Sequence, residues 1–175
     1  MEKQVFTVTL AQLRKEGACI SGYNKLVCSL QGKPFDQDRK TYIRYAHKEP
    51  INLLHILDSN GVDDCLWGIR AVNHPERDRV ARHIACDCAD AILHIYEKET
   101  PSDNRPRHAV EVARRYADGN ATQEELDAAR AAAWAAASAA AKAAARAAAR
   151  GAAWAAPWDA ARGAQSKIIR SYLGE

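Results

Sequence analysis

From Ala128 to Ser166 alanine fills most positions and every fourth residue is something else: Arg130, Trp134, Ser138, Lys142, Arg146, Arg150, Trp154, Trp158, Arg162 and Ser166. Alanine has the best intrinsic helix propensity and loses no side-chain entropy on ordering, so this stretch is committed to helix whether or not it is covered. Each step of four residues advances about 400° around the axis, so the interrupting residues drift by roughly 40° per step and trace a slow spiral instead of a fixed stripe. A methyl group removes little apolar area from water. Attachment to the rest of the fold must therefore come from close backbone approach and from the indoles, and Trp134, Trp154 and Trp158 are the expected anchors.

Thr122 and Glu125 form a capping-box pattern that starts the helix at about Gln123. Pro157 lacks an amide proton and its ring clashes with the carbonyl of Ala153, while Gly151 and Gly163 weaken the same region. The helix is predicted to kink or break between Ala155 and Trp158, with a first segment of about 30 residues and a second from about Trp158 to Tyr172.

A chain of 175 residues is long enough to bury a core without staples, and one domain over 1–175 is the expectation. Its net charge is +3, unevenly spread: Ala128–Glu175 holds seven Lys or Arg against Asp159 and Glu175, hence +5, which leaves −2 for residues 1–127. The basic character thus belongs to the alanine-rich end. Cys19, Cys28, Cys65, Cys86 and Cys88 show no disulfide spacing and leave an odd one over. The first residues contain no basic segment followed by an apolar one, so no signal peptide is expected and the setting is read as reducing and cytoplasmic. The uncharged part of the alanine stretch, Ala131 to Ala141, is too short to span a bilayer, so no membrane is implied.

Along the chain, Val5 to Thr9 alternates like a short strand, but nothing later offers it a partner. Thr9 and Gln12 make a second capping box, and Leu10 and Leu13 before Gly17 predict a short helix. Leu26, Val27 and Leu30 predict a helix from Tyr23 to Leu30. Asp36 is expected to cap a helix carrying Tyr42, Ile43 and Ala46, ending before Pro50. Ile51 to Leu57 with the stop Asn60-Gly61, then Asp63 to Val72, reads as a helix-turn-helix pair. His74-Pro75-Glu76 opens a longer helix whose stripe is Val80, Ile84, Cys88, Ala91, Ile92 and Ile95. After the loop Pro101–Pro106, Arg107 to Asp118 is predicted helical, with Ala109, Val112, Ala113 and Tyr116 inward and Gly119-Asn120 as the stop. The fold class is all-α: a compact stack of antiparallel helices, with short helices in 1–50, a helical body in 51–120 and the alanine-rich helices of 121–175 closing it.

No complete catalytic constellation is present, and the chain is read as a non-enzyme without cofactors. Cys86 and Cys88 with His83 invite a metal, but residues two apart on a helix differ by about 200° in direction, so the two thiols cannot grip one ion. His83 with Cys86 offers only half of a tetrahedral zinc set. Core packing is the better reading of both cysteines.

Two surfaces are candidates for a partner. Asp58, Asp63 and Asp64 surround Asn60-Gly61, and no Lys or Arg stands between Glu49 and Ile69; these acids have plain roles at helix ends, or else form an acidic face for a basic protein. Lys142, Arg146 and Arg150 span only about 80° of the helix circumference and make a basic strip about 12 Å long, flanked by Trp134 and Trp154. The strip is either a solvated face or a phosphate contact with an indole to stack on a base. Alanine surfaces also permit close self-association, so a homodimer is allowed.

The stretches Leu53-Leu-His-Ile-Leu-Asp-Ser-Asn-Gly-Val-Asp-Asp-Cys-Leu-Trp67, Ile84-Ala-Cys-Asp-Cys-Ala89, Arg105-Pro-Arg-His-Ala109 and Ala113-Arg-Arg-Tyr-Ala-Asp-Gly119, running into the alanine-rich tail, resemble a family found in bacteria and their phages and labelled "putative immunity protein" by association with polymorphic toxin systems. The resemblance covers roughly Ile51 to Leu173, leaves the first 50 residues outside, and carries no catalytic signature. It implies a small soluble protein that binds and blocks another protein, either a toxin or, when phage-borne, a component of host defence. The alternative is a nucleic-acid-binding module working through the basic strip.

Overall fold

In a computed structural model, residues 5–148 and 156–174 are described, with the side chains of Glu99 and of 136–162 outside that set. Among the described residues there are eight α-helices and one two-stranded sheet, so the fold is mostly helical. The chain divides into two compact units, one made of Met1–Arg77 with Ile169–Glu175, the other of Asp78–Ile168.

The first unit opens with β1 (Thr7–Val8), which pairs antiparallel with β2 (Ile51–Asn52) in the register Thr7 to Asn52 and Val8 to Ile51. The amide of Leu53 extends the pairing by donating to the Phe6 carbonyl at 3.0 Å. The partner strand that the sequence did not offer is thus the start of the predicted Ile51 helix. Asn52 ends the strand and begins the next helix, its side chain accepting from the Leu54 amide at 2.9 Å.

Helix α1 (Leu10–Lys15) starts on the predicted capping box: the Thr9 amide donates to Gln12 Oε1 at 2.7 Å, and the Gln12 amide donates to Thr9 Oγ1 at 3.2 Å. Helix α2 (Ile20–Leu30) begins a turn before the expected Tyr23, because the Cys19 Sγ caps it by accepting from the Gly22 amide. Leu26, Val27 and Cys28 of α2 are buried with Phe6, Val8 and Leu13.

The helix predicted behind Asp36 does not form; residues 33–50 are non-helical. Asp36 Oδ1 accepts from the Asp38 amide and makes a turn instead of a cap. Beyond it, Asn24, only 1% exposed on α2, reads the backbone on both sides of Tyr42: its Nδ2 donates to the Thr41 carbonyl at 2.9 Å, and the Ile43 amide donates to its Oδ1 at 2.8 Å. A helix would spend those backbone groups on its own ladder. The Tyr42 hydroxyl donates to the Ala18 carbonyl at 2.6 Å and the Arg14 guanidinium stacks 3.6 Å from the Tyr42 ring centroid, which fixes the extended course.

Helices α3 (Leu53–Asn60) and α4 (Val62–Gly68) are the expected pair, turning at Gly61 with φ +97° and ψ −177°, a conformation nearly closed to other residues. A 3-10 turn, Ile69–Ala71, follows. Leu53, Ile56, Leu57 and Cys65 face inward, and Ile169 and Leu173 at the end of α8 (Ala156–Leu173) are fully buried members of the same unit.

The second unit contains α5 (Arg77–Glu99), α6 (Arg105–Ala117) and α7 (Gln123–Ala148). Asp118 at the end of α6 meets Arg79 and His83 near the start of α5, Arg114 meets Asp87 and Asp90, and Arg107 meets Asp90 and Glu97, so the two helices run antiparallel along a ladder of ion pairs. Gly119, with φ +75°, stops α6 as predicted, and the Thr122–Glu125 box starts α7 at Gln123. Val112, Leu126 and Ala129 form the core of this hairpin, with Ala109, Ala113, Tyr116 and Ala121 packed on it.

Helix α5 departs from the single stripe expected of it. Ile84 and Cys88 are buried on one side, while Cys86 and Leu93 are buried on the side roughly 180° away, and Ile92 and Ile95 are each 38% exposed. The two cysteines do point apart, each into a different packed face. Downstream, α7 is described to Ala148 and α8 from Ala156; the predicted break at Ala155 to Trp158 falls partly outside the described residues.

Candidate protein-binding site

Of the two surfaces singled out in the sequence, the acidic turn lies within the described residues. Asp58 on α3 accepts from the guanidinium of Arg170, a residue 112 positions later, so a cation does reach the acidic turn. The Asn60 side chain donates to the Gly22 carbonyl at 2.8 Å and to Asp64 Oδ2 at 2.7 Å, and Lys25 Nζ donates to the Asn60 carbonyl at 3.3 Å. Asp63 and Asp64, in the first turn of α4, border a hollow of about 310 Å³ together with Cys19, Gly22, Tyr23 and Trp67. Asn60 and Asp64 are thus engaged in tying α3 and α4 to α2, and Asp58 in holding α8.

On the alanine-rich helix, Trp134 is 77% exposed. It is no anchor for the fold: α7 packs on α6 through Leu126 and Ala129, and the indole stands in solvent. The side chains of Lys142 and Arg146, and Arg150 and Trp154 altogether, lie outside the described residues.

In the second unit a groove of about 500 Å³ lies among α5, α6 and α7. Five alanines line it, Ala85 and Ala89 from α5, Ala109 and Ala113 from α6 and Ala133 from α7, around the buried Cys86, Leu93 and Leu126. Spaced four apart on facing helices, these methyls leave depth that larger side chains would fill. Ile92, Leu93, Tyr96 and Tyr116 wall it, and the exposure of Ile92 shows that it opens to solvent. The only charged side chains in its lining are Arg82 and Arg130. Arg82 lies over the Tyr116 ring, 4.9 Å from the centroid, and among the described residues it has no carboxylate partner. Arg130 has one loose contact, 3.7 Å to Asp127, between side chains that are both more than half exposed.

Other acids of this unit are held by their own cations. Arg105 and the Tyr96 hydroxyl hold the Asp103 carboxyl far below the usual range; Arg107 lowers Glu97; and His83, then Arg79, lower Asp118. Burial pushes the Cys86 and Cys88 thiols up, and the Cys65 thiol up to about 12, so none of the three is a thiolate at neutral pH. Among the described residues no group of three or more His, Cys, Asp or Glu is placed to hold a metal ion, and no helix is long and apolar enough to cross a membrane.

The groove was not read from the sequence. Its signal was present as the paired alanines four apart, 85 and 89 opposite 109 and 113, but alanine carries too little hydrophobicity to register as a stripe beside Ile84, Cys88 and Ile92.

Residues 72–158 match the family model described as "Imm-5 like putative immunity protein". The match supports the immunity-protein resemblance over a shorter span than Ile51 to Leu173: the Leu53–Trp67 stretch lies outside it, and α5, α6 and α7 lie inside. No curated protein and no solved structure matches the chain.

Proposed function

We propose that this is a non-catalytic immunity protein, carried by a phage or other mobile element, which neutralises a protein target by binding it directly. The target is a toxin or a component of host defence. The observation that carries this reading is the coincidence of the family match with the groove: residues 72–158 include every residue that lines it. An alanine-rich lining, an exposed Ile92 and an exposed Trp134 on the same unit give an apolar surface of the kind that protein interfaces use, with two arginines in the lining.

Affinity capture with the tagged full-length chain, with and without nuclease, tests it. The expected result is one protein retained in fixed stoichiometry after nuclease, whose toxicity or defence activity is suppressed when the chain is co-expressed. Retention that disappears with nuclease would move the function to the basic strip and nucleic acid, and retention of no protein would overturn the reading.

A further inference from the structure

The charge and shape of the groove specify what fits it. Five alanines in its lining leave room for a bulky side chain, and among the described residues the lining holds two guanidiniums and no carboxylate. Arg82 is held in place by stacking on Tyr116, which leaves the outer edge of its guanidinium, with donors in a fixed fork, to a ligand. Arg130 is the second cation, on a separate helix, and its one ion pair is loose and solvated. Two cations on separate helices beside an apolar trough complement an apolar ridge bordered by acids.

We propose that the groove receives one helix of the target protein, inserted through a bulky apolar side chain with carboxylates beside it that pair with Arg82 and Arg130. A helix fits better than an extended strand because the surfaces that line the groove are helical, and none of them presents a free backbone edge for strand addition. This inference rests on the immunity reading and adds the chemistry of the recognised surface.

The probe is a labelled model helix with Leu and Phe at i, i+3, i+4 and i+7 and Glu elsewhere, compared with the same helix carrying Lys for Glu, by fluorescence anisotropy against the full chain. The acidic helix is expected to bind at least about tenfold tighter than the basic one. Arg82→Glu should reverse that order, and Ala89→Trp, which fills the groove, should weaken the acidic helix; circular dichroism of both variants checks that they fold. Equal binding of the two helices, or an unchanged order in Arg82→Glu, overturns the proposal. So does a groove occupied by dodecanoate and by neither helix, which would make the ligand a carboxylated lipid. A wild-type dimer that Arg82→Glu dissociates would make the occupant a second copy, again against the proposal. Target capture separates this from the function itself: a target still retained by both variants leaves immunity standing and removes the groove, whereas a wild-type chain that retains no protein removes immunity whatever the helices do.

Discussion

Arg114 Nη2 on α6 lies 2.7 Å from Asp87 Oδ1 on α5 and also reaches Asp90 at 3.1 Å, so one guanidinium joins two carboxylates a helical turn apart. Its ends are about one-third exposed, and solvent discounts the attraction accordingly. Arg114→Met should cost about 0.5–1 kcal/mol. For a domain this size that lowers Tm by about 1–4 °C. Urea unfolding of Arg114→Met, Asp87→Asn and the double variant would reveal a coupling energy; strictly additive losses would mean that the bond does not hold α6 to α5.

The ladder also sets an acid limit. A carboxylate whose folded pKa lies below its unfolded value, about 4, stabilises the fold above that value and loses the contribution as pH falls through the folded value. Asp103, Glu97 and Asp118 are all lowered in this way by their cationic partners. Tm should therefore be flat from neutral pH to about pH 5 and drop below about pH 4. Asp118→Asn should show a shallower drop than the parent, and an identical profile would remove Asp118 from the account.

Asn24 carries the course of residues 41–43 through its two backbone bonds. Asn24→Leu keeps the branched shape but leaves the Thr41 carbonyl and Ile43 amide without their partner, at a cost of about 1–3 kcal/mol. Limited trypsin digestion should then cleave faster after Arg39, Lys40 or Arg44. A cleavage rate equal to wild type would mean that Tyr42 and its bond to Ala18 suffice.

Only Cys19 is exposed among the five cysteines. Titration of the native chain with an aromatic disulfide at pH 8 should give one rapid thiol, and five after denaturation. Rapid reaction of a second would show that the packing over one of the four buried thiols opens on that timescale.

Trp134 contributes exposed area and no described core contact. Trp134→Ala should leave Tm unchanged and weaken target capture, on the order of tenfold if the indole is an interface anchor. Full retention of the target by this variant would exclude the indole from the contact.

Local signals carried most of the fold into view. Thr9 with Gln12 and Thr122 with Glu125 mark two helix starts within four residues, and Gly61 and Gly119 mark two stops, because caps and left-handed turns are decided by neighbours. What stayed hidden depends on distant partners. Asn24 overrides the helical pattern behind Asp36, and Phe6 finds its backbone partner at Leu53. Arg170 supplies the cation that the acidic turn lacks in its own neighbourhood. Of the candidate site, the exposed indole of Trp134 was legible as a feature but read as an anchor, and Arg82 showed no distinguishing spacing at all. Its meaning comes from Tyr116 on another helix.

The placement of Ile169 and Leu173 among the buried residues of the first unit also has a consequence for synthesis. Residues 6–77 emerge from the ribosome first, yet the side chains that complete their core are made only after Asp78–Ile168. At translation rates of about 5–20 residues per second, that interval is on the order of five to twenty seconds. During it the sheet, Asn24 and the α3–α4 pair must hold together with an apolar gap where Ile169 and Leu173 will sit, while the helical hairpin of α6 and α7, built from contacts close in sequence, is free to form. The last turn of α8 then closes the core of the first unit, and that unit is most open to proteases and chaperones just before it.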